Sequence, residues 1–318
     1  MDLIDIPRIH VNKFRPARTG GEPRVVLDNV KHWRALHAWS PDYLISIGGG
    51  SEVSVRETIG PPRNVYQNLA QGGKTSFSQY LNWVLEIADG DDLRALVTKC
   101  STVSDIARAV CDIGFQNSYY LDTKLGALSK ELLRDVEIPC WYKADPVDVL
   151  LWCGVLGTSS GLHFDVTPNC NVQVAGQKHF ILFHPSQDRL LYRIPGGAHC
   201  RFDPNIPDFD RFPLARKARG WCCTLHVGES LYIPAGWFHQ VTVTSTWALN
   251  VNFFWPRLFP QGLITPSLWS ILARRAWVKF RAGMRPSGPH SYTHRIRDWA
   301  VLHKNTFRGQ VDKDRNLR

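Results

Sequence analysis

Gly161-Leu162-His163-Phe164-Asp165 is the stretch from which the rest of the chain is read. Side chains two apart on a β-strand point the same way, so His163 and Asp165 would face one side together and could grip one ion. Their partner stands far along the chain, in Gly228-Glu229-Ser230-Leu231-Tyr232-Ile233-Pro234-Ala235-Gly236-Trp237-Phe238-His239. There Gly228 and Glu229 predict a turn, Leu231 to Ile233 a short strand, and Pro234 to Gly236 a second turn that delivers His239 at the start of the next strand. A histidine held between two strands is presented rigidly, as a metal ligand should be. A His-x-Asp triplet alone is weak in a chain with twelve histidines, and a pair of satisfied core histidines is the competing reading.

Two imidazoles and one carboxylate on one side of a metal leave its other positions open, which is the donor set of non-haem Fe(II) sites. Upstream, Asp148 to Leu156 is an apolar run suited to a strand buried on both faces, and it ends at Gly157. Thr158-Ser159-Ser160 then leads into the metal strand. Downstream, Lys178 opens a further predicted strand in Gly176-Gln177-Lys178-His179-Phe180-Ile181-Leu182-Phe183-His184-Pro185.

With these motifs together, residues 148–256 resemble the JmjC domain, the cupin-type barrel of Fe(II)- and 2-oxoglutarate-dependent oxygenases, and in particular its small hydroxylase branch. The resemblance implies a mainly β fold with flanking helices, a double-stranded β-helix or jelly roll. It implies an N-terminal α/β support over residues 1–120 that extends the barrel and a catalytic barrel over 121–256. Residues 257–318 would follow as a basic helical segment. The implied cofactor is Fe(II) on His163, Asp165 and His239, with 2-oxoglutarate and O2 as cosubstrates.

Further roles come with the same resemblance. Lys178 matches the family's Gly-x-Lys-x-x-x-Leu-Phe-x-Pro, whose lysine pairs with the far carboxylate of 2-oxoglutarate. A lone buried ammonium is costly, and the dianionic cosubstrate would complete the pair. As a surface lysine it would be unremarkable. Tyr120 falls where the family hydrogen-bonds the same carboxylate, with Tyr119 one register step away and a structural tyrosine as the alternative. Ser160 stands at a cosubstrate-binding hydroxyl position, and Asn169 and Asn252 match polar residues that line the pocket. His179, His184, His199 and His226 have no partner at ligand spacing and read as structural or surface residues.

Bulk properties narrow the setting. At 318 residues with 44% hydrophobic side chains, the chain can bury one large core or two modest ones. No apolar run reaches bilayer length, and Met1-Asp2-Leu3-Ile4-Asp5 lacks a signal-peptide pattern, so a soluble intracellular protein, cytoplasmic or nuclear, with no membrane partner is expected. Eight scattered cysteines without a Cys-x-x-Cys pair suggest free thiols. The net charge of +10 lies entirely in residues 257–318, which hold thirteen Lys and Arg against three Asp. Such a segment could touch RNA or an acidic partner, or be a solvated helix face.

Pattern reading predicts a strand at Pro23–Leu27, helices at Val30–Leu36 and from Ser40-Pro41, a strand at Val53–Arg56, and a helix whose apolar stripe runs from Phe77 to Ala88. Leu93 to Val110 reads as helical or irregular. Pro195 to Ala218 is a long insertion between strands, the kind of loop that borders the substrate entrance in the family. Helices from Pro266 onward suggest a homodimer interface or packing on the chain's own barrel. The leading substrate expectation is a protein or peptide side chain to be hydroxylated. A modified RNA nucleotide comes next and an N-methyl-lysine demethylase third; a cupin-fold binding protein without turnover is the non-enzyme alternative.

Overall fold

A computed structural model describes residues 1–16, 21–59, 69–70, 73–112, 117–141 and 145–255. The expected helices beyond Pro256, the basic segment and any dimer interface there lie outside the described residues. Two sheets face each other. The smaller runs β1 (Asp2–Asp5), β12 (Arg219–Leu225), β11 (Lys178–Phe183), β14 (Phe238–Val243) and β9 (His163–Phe164). The larger runs β2 (Arg8–His10), β3 (Arg24–Leu27), β13 (Ser230–Ile233), β10 (Asn169–Ala175), β15 (Trp247–Phe254), β8 (Asp148–Val155), β7 (Asn117–Lys124), β4 (Glu52–Ile59) and β5 (Leu69–Ala70), with β6 (Lys74–Ser76) paired to β4. From β8 onward the chain crosses back and forth between the sheets: β9 in the small, β10 in the large, the antiparallel pair β11 and β12 in the small, β13 in the large, β14 in the small and β15 in the large. This is the jelly-roll winding expected from the sequence.

The pleat sorts the side chains of the large sheet. On β10, Cys170, Val172 and Val174 point outward into the main apolar core, and on β15 Leu249, Val251 and Phe253 do the same. Helix α3 (Phe77–Asp89) covers that face with Phe77, Tyr80, Leu81 and Val84, all at 0% exposure. Full burial of side chains this size contributes roughly 1.5–3 kcal/mol each, so the outer face of the large sheet anchors the fold. The inner face carries amides instead: Asn169, Asn171 and Gln173 on β10, Asn250 and Asn252 on β15, all buried. Across the gap, β11 turns Phe180 and Leu182 inward to pack with Val25, Leu231 and Ile233, and Lys178 lies on the same side of that strand.

The N-terminal region is woven into these sheets. β1 pairs in parallel with β12, whereas β3 pairs antiparallel with β13 and β4 antiparallel with β7. Helix α2 (Pro41–Gly48) starts as expected, with Ser40 accepting the amide of Tyr43 at 3.2 Å and proline in its first turn. Leu93 to Val110 resolves into helices α4 (Asp91–Lys99) and α5 (Val103–Asp112). One element differs: Val30 to Leu36 is not a helix, and only the short α1 (Ala35–Ala38) forms. Asp28 adopts φ 58° and the chain then turns so that Val30 and Trp33 both reach the core, at 0% and 1% exposure, from a bend rather than from a helical face. No helix among the described residues is long and apolar enough to cross a membrane, and the seven cysteines whose side chains are described are free thiols.

Candidate metal and cosubstrate site

β9 and β14 lie side by side, with His163 opposite His239 in the ladder, and the two rings sit with centroids 4.4 Å apart. Asp165 follows the end of β9, and its carbonyl accepts the amide of Gly236 at 2.8 Å, which joins the two turns that carry the three side chains. Ligand atoms of His163, Asp165 and His239 all lie within 4.8 Å of one another. Gly161 enters this turn at φ 70°, a conformation that favours glycine.

Both imidazoles are oriented by the same local device. Nδ1 of His163 is 2.8 Å from the carbonyl of Gly161, and Nδ1 of His239 is 3.1 Å from the carbonyl of Trp237, each two residues back. A carbonyl only accepts, so each Nδ1 carries the proton and each Nε2 keeps its lone pair for a cation. Burial, reinforced by neighbouring His239, pushes His163 down to about 4 despite Asp165, which keeps it neutral at pH 7. Nε2 of His239 lies 3.5 Å from Oδ2 of Asp165. Two imidazoles and one carboxylate, gathered within ligand distance of one another with each Nδ1 already facing a carbonyl, fit a facially bound Fe(II).

Lys178 is 1% exposed and stands at the start of β11. Its Nζ donates to Oδ1 of Asn250 and, at 3.4 Å, to the carbonyl of Trp152. It lies 5.6 Å from the centre of the Tyr120 ring, which in turn is 5.4 Å from Trp152. Among the described residues it has no carboxylate partner within ion-pair distance. Burial pushes its amine down to about 7. A buried cation without an anion is a poor structural element and a good receptor for one. Gly154 makes room beside it, because a Cβ there would come within 2.9 Å of the Tyr120 ring.

Of the remaining sequence candidates, Asn169 donates from Nδ2 to Oδ2 of Asp165 at 2.8 Å, and Asn252 accepts from Asn250. The Ser160 hydroxyl serves the main chain, donating to the carbonyl of Gly161 at 3.2 Å and accepting the amide of Val241 at 3.1 Å. Two residues earlier, Thr158 is 1% exposed and its hydroxyl has no partner among the described residues. The backbone of Tyr119 lies in β7, with its side chain outside the description.

Sequence reasoning passed over several residues that the fold brings here. The His199 ring stacks 5.4 Å from His163, although no motif marks it, and burial lowers its pKa to about 4. The insertion that carries His199 is fastened to the strand of His239: Asn205 donates to Thr242 at 2.7 Å and Gln240 donates to Asp203 at 2.8 Å. Asn171 and Asn250 were legible as a pattern, since Asn169-Cys170-Asn171-Val172-Gln173 and Asn250-Val251-Asn252 alternate amides with apolar residues.

Comparison with known proteins agrees with this arrangement. A family described as "Cupin-like domain" matches residues 12–261. The chain is similar to the tRNA wybutosine-synthesizing protein 5 of Homo sapiens, 38% identical over 74% of this chain and 71% of that protein. It is similar to the human bifunctional peptidase and (3S)-lysyl hydroxylase JMJD7, 26% identical over 79% of this chain and 83% of that one. With lysine-specific demethylase 8 of Xenopus tropicalis it shares 26% identity over 79% of this chain and 52% of that protein.

Proposed function

The chain belongs to the cupin-like JmjC oxygenases, and from that premise we propose that it hydroxylates an unactivated C–H bond of a macromolecule, with Fe(II) on His163, Asp165 and His239. The family generally uses Fe(II) and 2-oxoglutarate. Bound together with O2, they supply the oxidising power: the keto acid loses CO2 to give succinate, and one oxygen atom enters the substrate. The protein's own tasks are to bind, orient and enclose. His163 and His239 offer fixed Nε2 atoms, Asp165 supplies the anionic ligand, and Asn169 holds one of its oxygens. Lys178, whose Nζ lies 5.6 Å from the centre of the Tyr120 ring, would pair with the far carboxylate of 2-oxoglutarate. Asn252 lines the same space, and Ser160 acts by pinning the loop that carries Gly161.

The observation that carries this reading is the buried Lys178, with no carboxylate partner among the described residues, in the same inter-sheet space as the three ligands. It is tested by incubating the Fe(II)-loaded protein with 2-oxoglutarate in air and measuring succinate. No succinate, with or without candidate substrates, overturns it in favour of a binding protein.

Two substrate classes are supported by different observations. A modified tRNA nucleoside is favoured by the name of a relative at 38% identity and by the basic surplus of residues 257–318, which suits a phosphate backbone. This reverses the order reached from the sequence, where a polypeptide side chain came first. The polypeptide reading keeps the support of the lysyl hydroxylase relative. Turnover with a tRNA fraction and with a peptide fraction, each scored for products heavier by one oxygen atom, separates them. N-methyl-lysine demethylation would instead release formaldehyde.

A further inference from the structure

A single hydrogen-bonded line of amides runs through the inner face of the large sheet from Lys178 to Asp165. Lys178 donates to Oδ1 of Asn250, whose Nδ2 donates to Oδ1 of Asn171 at 3.4 Å. Nδ2 of Asn171 donates to Oδ1 of Asn169 at 2.8 Å, and Nδ2 of Asn169 donates to Oδ2 of Asp165 at 2.8 Å. Every bond points the same way, and the ends dictate that sense. An ammonium can only donate and a carboxylate can only accept, so each amide between them must turn its oxygen toward the lysine and its nitrogen toward the aspartate. Asn250 also donates to Asn252, which draws a fourth amide into the set.

We propose that Asn171 and Asn250, neither of which contacts His163, Asp165 or His239, are positioning residues that hold Asp165 for the metal and Lys178 for the cosubstrate through this line. The inference rests on the Fe(II) and 2-oxoglutarate reading and adds to it a physical connection between the two ends. Aligned amide dipoles polarise one another, so the charge at one end strengthens the bond at the other. The line also fixes how much of Lys178 remains available. With one of its three hydrogens on Asn250 and one on Trp152, a single N–H is left for an incoming carboxylate. Apolar residues would fill these two inward positions more simply, since a buried amide destabilises the fold when its bonds are not made.

The test reads metal affinity in the absence of 2-oxoglutarate, with Mn(II) as the probe and electron paramagnetic resonance of the free ion as the measure. Asn171→Leu cuts the middle of the line without touching Asp165 or Lys178. It is expected to weaken Mn(II) binding by about tenfold, the range for residues that orient a ligand. Asn250→Leu should weaken Mn(II) less and raise the KM for 2-oxoglutarate more. In the double variant the Mn(II) effect should equal that of Asn171→Leu alone, because a line already cut cannot be cut again. Asn171→Ser, too short to reach Asn169, serves if the leucine variant does not fold. Mn(II) binding within twofold of the parent in a folded position-171 variant, or effects that multiply in the double variant, overturns the inference and leaves the metal site standing. If the parent protein itself binds no Mn(II), the functional reading falls and takes this inference with it.

Discussion

The metal end and the lysine end of the inter-sheet cavity orient their side chains by different means. At the metal end each histidine is steered by a main-chain carbonyl two residues back, so the instruction lies within the turn that carries the ligand. At the lysine end, Lys178 is steered by Asn250 and by the carbonyl of Trp152, which reach it from two other strands. The two histidines survive a good deal of change elsewhere, because their geometry is local, and of the three ligands Asp165 alone leans on the amides of β10. The lysine end is only as good as the packing of three strands, and a distant substitution can undo it.

The difference can be broken most severely at the metal end. His239→Ala removes one of three ligands and is expected to abolish succinate formation, with Mn(II) no longer retained. At the other end, Lys178→Met should weaken Mn(II) binding no more than Asn250→Leu does, while the KM for 2-oxoglutarate rises far more. Truncating one partner of a buried charge pair costs about 2–5 kcal/mol, or roughly 30-fold to several thousand-fold in affinity. If Lys178→Met instead loses the metal and the cosubstrate equally, the two ends are one structural unit.

How much of this could be seen beforehand follows the same division. His163, Asp165 and His239 are legible because their spacing and flanking turns are local, and so are α3 and Ser40-Pro41 of α2. Lys178 is visible through its own strand, yet its partner Asn250 is 72 residues away and nothing near the lysine announces it. His199 reaches His163 only because an insertion folds back and bridges to β9, a contact no periodicity encodes. Val30 to Leu36 misleads for a related reason. Its apolar residues do serve the core, but from a bend that begins at the left-handed Asp28.

The lysine end should also carry a pH dependence near neutrality. Burial holds the amine of Lys178 near 7 while the site holds no anion. Below that pH the ammonium is ready for a carboxylate. Above it the amine must first take up a proton, so 2-oxoglutarate affinity for the Mn(II)-loaded protein should fall by about tenfold per pH unit. Stability has the matching sign. An unfolded lysine titrates near about 10.4, so the folded, cosubstrate-free protein carries the full penalty of a buried ammonium below pH 7 and sheds it as the pH rises. Lys178→Met should therefore raise Tm more at about pH 6.5 than at about pH 9. An affinity for 2-oxoglutarate that stays flat through this range would mean that Lys178 meets no anion.

The smallest expected effect sharpens the contrast most finely, because it adds one methyl group. A Cβ at Gly154 would stand 2.9 Å from Cδ2 and 3.3 Å from Cε2 of Tyr120, and 3.5 Å from the Cβ of Thr158. The tyrosine ring cannot simply swing clear, since it is 5% exposed and packed against Trp152. Gly154→Ala must displace this ring, whose centre lies 5.6 Å from the Lys178 amine, at an overpacking cost of about 1–3 kcal/mol. The KM for 2-oxoglutarate is then expected to rise several-fold with a modest loss of Tm. Mn(II) affinity should stay within twofold of the parent, because β8 carries no metal ligand and the amide line runs along β10 and β15. An equal loss of Mn(II) affinity would show that the ring of Tyr120 supports both ends and that the cavity behaves as a single rigid body.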